Sequence, residues 1–318
     1  MKKIKAVSLF SGGLDSLLAT KLIEEQNIEV VLINFTSEFL KPAINPFKKL
    51  KIVYINITKD QLKIIKHPKF GYGSGINPCI DCKILMLKKA KAYMKKIKAD
   101  FLFTGEVLGE RPMTQHKRTL MLMEKKVGLK NKILRPLSAK LLPITEAEKK
   151  DFIDRNKLLS IQGRSRKIQL ELAKKYNLKD FPTPAGGCIL TDASFAKKML
   201  DLIKNNKIIN NKDIQLLSIG RHFRYKKSKI IVGRNLEENK KLLKLKDKND
   251  IYLEVHSYAG PITILQNPNK ESIKIAAELT ARYSDSPDST LVKYGKSKLN
   301  CSIKVKKAKE DEINKIRV

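Results

Sequence analysis

Four cysteines, Cys79, Cys82, Cys188 and Cys301, are too few for a disulfide framework in a chain of 318 residues,. In a reducing compartment such cysteines point to metal binding or catalysis instead. No apolar run approaches the roughly 20 residues that cross a bilayer, which argues against a helical membrane protein and against a membrane partner. The opening Met1-Lys2-Lys3-Ile4-Lys5 is charged but lacks the apolar stretch and cleavage site of a leader,. It reads as the first strand of a cytoplasmic protein. Acidic residues are scarce: 32 Asp and Glu against 66 Lys and Arg leave a net charge of +34. Lysine-rich coding explains part of that excess. A polyanionic partner explains the rest, because neutralising phosphates releases counterions and drives binding. Apolar residues, at 42%, suffice for a globular protein,, and the length accommodates two domains.

Residues 4–10 read as a buried strand, followed by a Gly-Gly turn and an apolar-periodic helix over 14–26,. Further strands are expected at 30–35, 51–57 and 100–104. A long helix is expected over 82–98, with others near 145–155, 165–177 and 192–205. Strands alternating with helices imply a parallel sheet covered on both faces. The character changes in the polar stretch around 205–212. Short strand-like runs follow at 214–219, 229–232 and 251–256, then a helix near 270–282 and a charged tail over 303–318 that reads as solvated. The expectation is an α/β domain over 1–207, a doubly wound parallel sheet, and a second, smaller α+β domain over 208–318.

Ser11-Gly12-Gly13-Leu14-Asp15-Ser16 lies where a strand ends and a helix begins. The first N–H groups of a helix have no partner and its dipole is positive there, so anions bind. Two glycines let the backbone wrap phosphate oxygens closely, and Ser11 and Ser16 add hydroxyls. Asp15 repels phosphate unless it holds Mg2+ or caps the helix. The Gly-Lys-Ser/Thr ending of kinase-type loops is missing, so transfer of the γ-phosphate is not expected. The hexapeptide resembles the PP-loop of the ATP-pyrophosphatase superfamily. That resemblance implies a HUP-like doubly wound sheet and cleavage of ATP between its α and β phosphates. It also implies adenylation of an oxygen, with Ser11, Gly12, Gly13, Asp15 and Ser16 on the nucleotide.

Cys79 and Cys82 sit in Asn77-Pro78-Cys79-Ile80-Asp81-Cys82-Lys83, ahead of a helix, where the dipole is expected to lower a thiol pKa,. Cys188 ends the glycine-rich run Pro184-Ala185-Gly186-Gly187-Cys188. Three thiolates suit a [4Fe-4S] cluster with one open iron, whereas structural zinc usually takes a fourth ligand. A turn ornament plus a core thiol is the plainer alternative. One Cys pair plus a distant Cys is similar to several PP-loop tRNA thiolases. Thr104-Gly105-Glu106-Val107-Leu108-Gly109-Glu110, with Met113-Thr114-Gln115 and Leu134-Arg135-Pro136-Leu137, resembles the 4-thiouridine synthetases of the ThiI family. Cys82 and Cys188 are placed like the sulfur-handling pair of the MnmA 2-thiouridylases. Neither a THUMP-type nor a rhodanese domain is recognisable. Sulfur is therefore expected as free sulfide on a cluster or from a separate donor protein. Glu106 is a further candidate for the nucleotide or Mg2+. Gln115, His116, Lys117 and Arg118 are candidates for an RNA channel, and Arg164 and Arg166 for a phosphate clamp.

In the second domain, Arg221-His222-Phe223-Arg224-Tyr225 interleaves charges with rings, which suits RNA,. Together with Val232-Gly233-Arg234-Asn235 and Glu238-Asn239, this is similar to the RNA-binding domain of NFACT proteins. The resemblance implies tRNA contact by Arg221, Arg224, Arg234 and Asn235. The combined expectation is ATP-dependent thiolation of a tRNA uridine, to 4-thiouridine or 2-thiouridine, with Asp15, Cys82 and Cys188 catalytic. The alternatives are a nitrogen-adding PP-loop ligase or amidotransferase, and a non-catalytic RNA-binding adaptor.

Overall fold

The computed structural model describes residues 3–40, 42–43, 47, 49–178, 181 and 188–318. They divide into two compact units, Met1–Asp192 and Ala193–Val318. The division falls earlier than the expected 207/208. The helix over Ala193–Asn205 belongs to the second unit, because its Asp201 carboxylate binds Arg224 and its Lys198 Nζ donates to the Leu217 carbonyl.

The first unit runs β1 (Lys5–Leu9), α1 (Leu14–Glu24), β2 (Glu29–Thr36), β3 (Lys51–Asn56), α2 (Thr58–Lys66), α3 (Cys79–Lys96), β4 (Phe101–Thr104), α4 (Lys117–Val127), β5 (Ile133–Leu134), α5 (Glu146–Lys149) and α6 (Lys167–Lys175). Its strands form one parallel sheet in the order β3-β2-β1-β4-β5. Side chains alternate across a strand, and both faces are covered. Ala6, Leu32 and Phe103 pack with Leu18 of α1 and Ala173 of α6. Their neighbours Val7, Ile33 and Leu102 pack with Leu87 of α3 and Met123 of α4. Each fully buried leucine, such as Leu18 or Leu87, contributes about 2 kcal/mol,. This two-faced burial explains the near-continuous apolar runs of β1 and β2. The helix expected over 145–155 is only the single turn α5. Thr145 and Glu148 start it with a capping box, and Asp151, at φ 53°, ends it in the left-handed region.

The second unit runs α7 (Ala193–Asn205), α8 (Asn211–Leu216), β6 (Arg221–Tyr225), β7 (Ser228–Val232), α9 (Leu236–Leu245), β8 (Ile251–Val255), β9 (Thr263–Gln266), α10 (Lys270–Arg282), β10 (Ser289–Gly295), β11 (Cys301–Lys306) and α11 (Glu310–Ile316). Its sheet is antiparallel, in the order β11-β10-β8-β9-β7-β6. On one face α10 packs Ala276 and Ala277 against Phe223, Leu253, Leu265 and Val292. On the other, Leu242 of α9 and Leu216 of α8 meet Ile231 and Ile264.

Two expectations are corrected here. The first half of the apolar run at 214–219 is the end of a helix and the rest a turn, with no strand: Asn210 and Asp213 form a capping box that starts α8. The tail is not a solvated segment either. β11 pairs with β10, Ile313 of α11 is fully buried, and Val318 N donates to the His222 carbonyl.

Candidate functional site

In the first unit, β1 leads to β2 on one side of the sheet and neighbours β4 on the other. The chain order therefore reverses at β1, and ligands of open α/β sheets bind beyond the strand ends at such a point. The PP-loop follows β1 and the segment 105–111 follows β4. They lie so close that a Cβ on Gly105 would stand 2.6 Å from the Asp15 carbonyl carbon and the Ser16 Cα. Only glycine permits that approach.

The loop is shaped by its own groups. Gly12 has φ 77°, Ser16 Oγ donates to the Gly13 carbonyl at 2.8 Å, and Ser11 Oγ lies 3.3 Å from Ser16 Oγ. Gly13 is the N-cap of α1 and supplies no side-chain cap. The first amides of α1 are thus left without a capping side chain, as an anion site requires.

Asp15 is half-buried, and burial holds its carboxyl above the usual carboxylate range. Arg166, Gln169 and Arg111 draw it back down. Glu110 is raised likewise, by burial first and the Asp15 charge second, against Arg111 and Arg166. Two carboxylates and two guanidiniums therefore surround the loop. Asp15 Oδ1, Arg166 Nε and both amide atoms of Gln169 are buried without a hydrogen bond of full geometry, Gln169 leaning on the Asp15 carboxylate. Burying such groups unpaired costs free energy unless something else pairs them. An orphaned carboxylate oxygen beside a second carboxylate and a phosphate loop fits Mg2+, which takes one or two carboxylates plus phosphate oxygens.

Glu106 is placed differently from its sequence reading. It is buried, accepts from Thr104 Oγ1 at 3.0 Å, and pairs with Arg135 at 3.2 Å and Lys83 at 3.4 Å. Arg135 also binds Glu124. These cations hold the Glu106 carboxyl below its ordinary range although burial opposes them. In this arrangement Glu106 anchors β4 to α3 and to the segment after β5. Gln115 is buried too, and its Oε1 accepts from Arg111 N at 2.9 Å, so it shapes the turn that carries Arg111.

Cys79 opens α3 and Cys82 lies one turn on. Gln61 Nε2 donates to Cys82 Sγ at 3.6 Å, and Cys188 Sγ donates to the Phe39 carbonyl at 3.7 Å. The loop before α3 is tied to the chain after Cys188, because Ile76 N donates to the Leu190 carbonyl at 3.0 Å. Pro184 to Gly187 of the expected glycine-rich approach lie outside the described residues. The three thiols share one neighbourhood. Burial pushes Cys82 up to about 12, with the charges of Cys188 and Cys79 adding to it. Burial pushes Cys188 up to about 11, with Cys79 adding. Cys79 is raised by burial despite Lys83 and Arg111. The expected lowering at a helix start is therefore overturned: desolvation of a thiolate outweighs the dipole. Thiols that oppose one another's ionisation are a donor set that a cationic centre would neutralise, so the residue types suit an iron–sulfur cluster. Among the described residues, no three His, Cys, Asp or Glu side chains stand close enough to hold a metal. Cys301 is exposed on β11 of the other unit.

In the second unit the predicted RNA contacts have partners already. Arg224 Nε donates to Asp201 Oδ1 at 2.9 Å, and both side chains are 13% exposed. Arg234 binds Glu238 through its guanidinium and its backbone N–H. Asn235 is the N-cap of α9, accepting from Glu238 N at 2.9 Å. Arg221 lies over the Tyr283 ring at 4.4 Å. Phe223 is fully buried in the core, so of the two readings of the interleaved rings, base stacking or a small core, this ring follows the second. Sequence reasoning quoted Glu110 within the Thr104–Glu110 segment without giving it a role, and missed Arg111 and Gln169; for Arg111 the available signal was its place directly after that segment.

Residues 2–142 match the family model described as thiamine biosynthesis protein (ThiI), and residues 220–317 match the NFACT protein RNA binding domain. Among solved structures, the chain is similar to the C-terminal part of the fibronectin/fibrinogen-binding protein from Streptococcus suis. The identity is 12% and the TM-score 0.29, over 75% of this chain and 99% of that one. It is similar to a predicted subunit of a tRNA methyltransferase from Methanocaldococcus jannaschii, at 17% identity and a TM-score of 0.27, over 42% of this chain and 69% of that one. A 4-thiouridine synthetase–RNA complex with bound ATP is similar at 17% identity and a TM-score of 0.37, over 67% of this chain and 52% of that one. No curated protein matches the chain.

Proposed function

The chain carries a ThiI-family domain over residues 2–142 and an NFACT-type RNA-binding domain over residues 220–317, and on that footing we propose that it is an ATP-dependent tRNA sulfurtransferase acting on a uridine. The observation that carries the reading is a PP-loop at the reversal point of a parallel sheet, in the same unit as Cys79 and Cys82 at the start of α3 and Cys188 on the segment bonded to the loop before it.

In this reading the loop amides and the hydroxyls of Ser11 and Ser16 bind the phosphates of ATP. Asp15, with Glu110 beside it, would hold Mg2+, which supplies charge neutralisation at the polyphosphate. The target base is drawn out of the RNA at a cost of a few kcal/mol, offset by phosphate contacts of the basic second unit. The uridine carbonyl oxygen attacks the α-phosphorus. The α–β bridging bond breaks and its electron pair leaves with pyrophosphate. The adenylated carbon is then electrophilic. A sulfur nucleophile adds to it and AMP departs with the carbon–oxygen electrons. Drawn together from their present spacing, Cys79, Cys82 and Cys188 would hold a [4Fe-4S] cluster, which would supply a binding site for sulfide. The other source is a persulfide on Cys82 or Cys188, loaded by a separate donor protein: its outer sulfur joins the base, and the thiolate of the second cysteine then attacks the inner sulfur, forming the Cys82–Cys188 disulfide and leaving the outer sulfur on the base. No helix among the described residues is long and apolar enough to cross a membrane, and we place the protein in the cytoplasm with its tRNA.

The test is mass spectrometry of tRNA nucleosides from a strain lacking the gene. One thiolated uridine disappears and returns with the wild-type gene but not with Cys82→Ser. Thiouridines unchanged by the deletion sink the proposal. Full complementation by all three Cys→Ser variants favours the nitrogen-adding ligase.

A further inference from the structure

We propose that Arg166 and Gln169 complete the nucleotide site. Arg166 binds the leaving pyrophosphate, and Gln169 is a positioning residue that sets the Asp15 carboxylate. The assignment rests on the adenylation chemistry proposed above and extends it to a segment that neither the loop motif nor the family match reaches.

The geometry starts from the backbone. Leu108 and Gln162 form a parallel bridge, and Gly163 N donates to the Leu108 carbonyl at 2.7 Å. Ser138, fully buried, locks the same junction. Its Oγ accepts from Leu108 N at 2.9 Å and donates to the Ile161 carbonyl at 2.6 Å. Gly109 and Gly163 face each other with φ of 77° and 86°. The chain after β4, which passes over the PP-loop, is thereby stapled to the chain entering α6. Arg166 is the N-cap residue of α6, and Gln169 lies in its first turn.

Arg166 lies near enough for its charge to act on Asp15 and Glu110, and Gln169 acts on Asp15 by hydrogen bonding. Gln169 is 0% exposed; its side chain leans on the Asp15 carboxylate and draws its pKa down, yet neither Oε1 nor Nε2 makes a hydrogen bond of full geometry. Arg166 Nε is buried and likewise makes none. A buried amide whose only partner is a poorly aligned carboxylate contributes little to a fold. It is kept where a ligand or its counter-ion provides the missing bonds, and a guanidinium fork suits a pyrophosphate. In the reaction the electron pair of the broken bond goes to pyrophosphate, so new negative charge develops where Arg166 can meet it.

The test uses the full chain and calorimetric binding of α,β-methylene-ATP, pyrophosphate and AMP, each with Mg2+, beside thermal melts without ligand. Arg166→Ala weakens pyrophosphate and α,β-methylene-ATP by on the order of tenfold to a hundredfold and leaves AMP within about twofold. Gln169→Leu, close in size and without orphaned atoms, melts no lower than wild type yet binds α,β-methylene-ATP more weakly. A residue serving only the fold would do the reverse. Equal losses for AMP and pyrophosphate in Arg166→Ala, or unchanged binding in both variants, overturn the assignment while leaving the nucleotide site standing. If the wild-type chain binds none of the three ligands, the adenylation reading falls and this assignment with it.

Discussion

At the PP-loop of the first unit, Asp15 Oδ1, Arg166 Nε and the Gln169 amide are buried without hydrogen bonds of full geometry. At the β6–β7 edge of the second unit, Arg224 is bound to Asp201 and Arg234 to Glu238. Both regions are rich in charge, and both stand out in the sequence as candidate sites. The difference between them is whether the fold already satisfies the charge. A paired arginine holds secondary structure together and reaches an outside ligand only by giving up its partner. An unpaired one costs stability in the free protein and gains its partner on binding. Orphaned polar atoms therefore separate a site poised for a ligand from a scaffold more sharply than basic composition does.

The largest expected effect comes from breaking the first half of that comparison. Asp15→Asn is expected to slow tRNA-dependent AMP formation by at least about a hundredfold, the scale of losing one preorganised electrostatic group. The melting temperature should not fall. An active Asp15→Asn protein would mean that the orphaned carboxylate is incidental. Next comes Arg224→Ala, which strands Asp201 in a mostly buried pair. A loss of about 3 kcal/mol in denaturant unfolding is expected. If stability holds and only tRNA affinity drops, Arg224 is a ligand contact and the contrast between the regions dissolves.

A pH series sharpens the comparison from the second unit's side. Burial, together with Lys229 and Lys198, keeps the buried His222 ring well below its ordinary 6.5. It stays neutral in the fold while the unfolded chain takes up a proton. Stability is therefore full above pH 6.5 and lost as pH falls through that value. His222→Phe should flatten the acid limb. Burial likewise lowers Lys229 to about 8 from 10.5. Stability should thus rise between those two values, because the unfolded chain then binds the extra proton. The smallest effects belong to the exposed cations. Arg234→Ala, at 49% exposure, should cost under about 1 kcal/mol,. Arg221→Ala gives up a ring contact worth about 0.5–1 kcal/mol. If Arg221 also meets a phosphate, its loss lowers the salt slope of tRNA binding by about one.

The PP-loop was legible because everything that makes it is local: an apolar strand, two glycines, a helix-start aspartate and two serines within one short stretch. The parallel sheet was legible for a similar reason, since two-faced burial writes continuous apolar runs into β1 and β2. The run at 214–219 misled because Ile, Leu and Ile suit a strand as well as a helix. The Asn210–Asp213 capping box decided the matter, and it lies just outside the apolar window. The tail misled because its charges face solvent while Val305, Ala308 and Ile313 supply the buried contacts.

The amino-acid order determined the class of each element and the chemistry each motif could offer, because strand, turn and helix-start preferences act over a few neighbouring residues. Tertiary structure decided which of those groups are free to act. It turned Glu106 toward Arg135 and Lys83 and left Glu110 beside Asp15. It closed Arg224 onto Asp201, and it buried Cys82 and Cys188 until their thiols hold their protons. A side chain's partner comes from segments far away in the chain, and so does the water it loses. Pairing and desolvation, which set charge and reactivity, are thus properties of the packed whole.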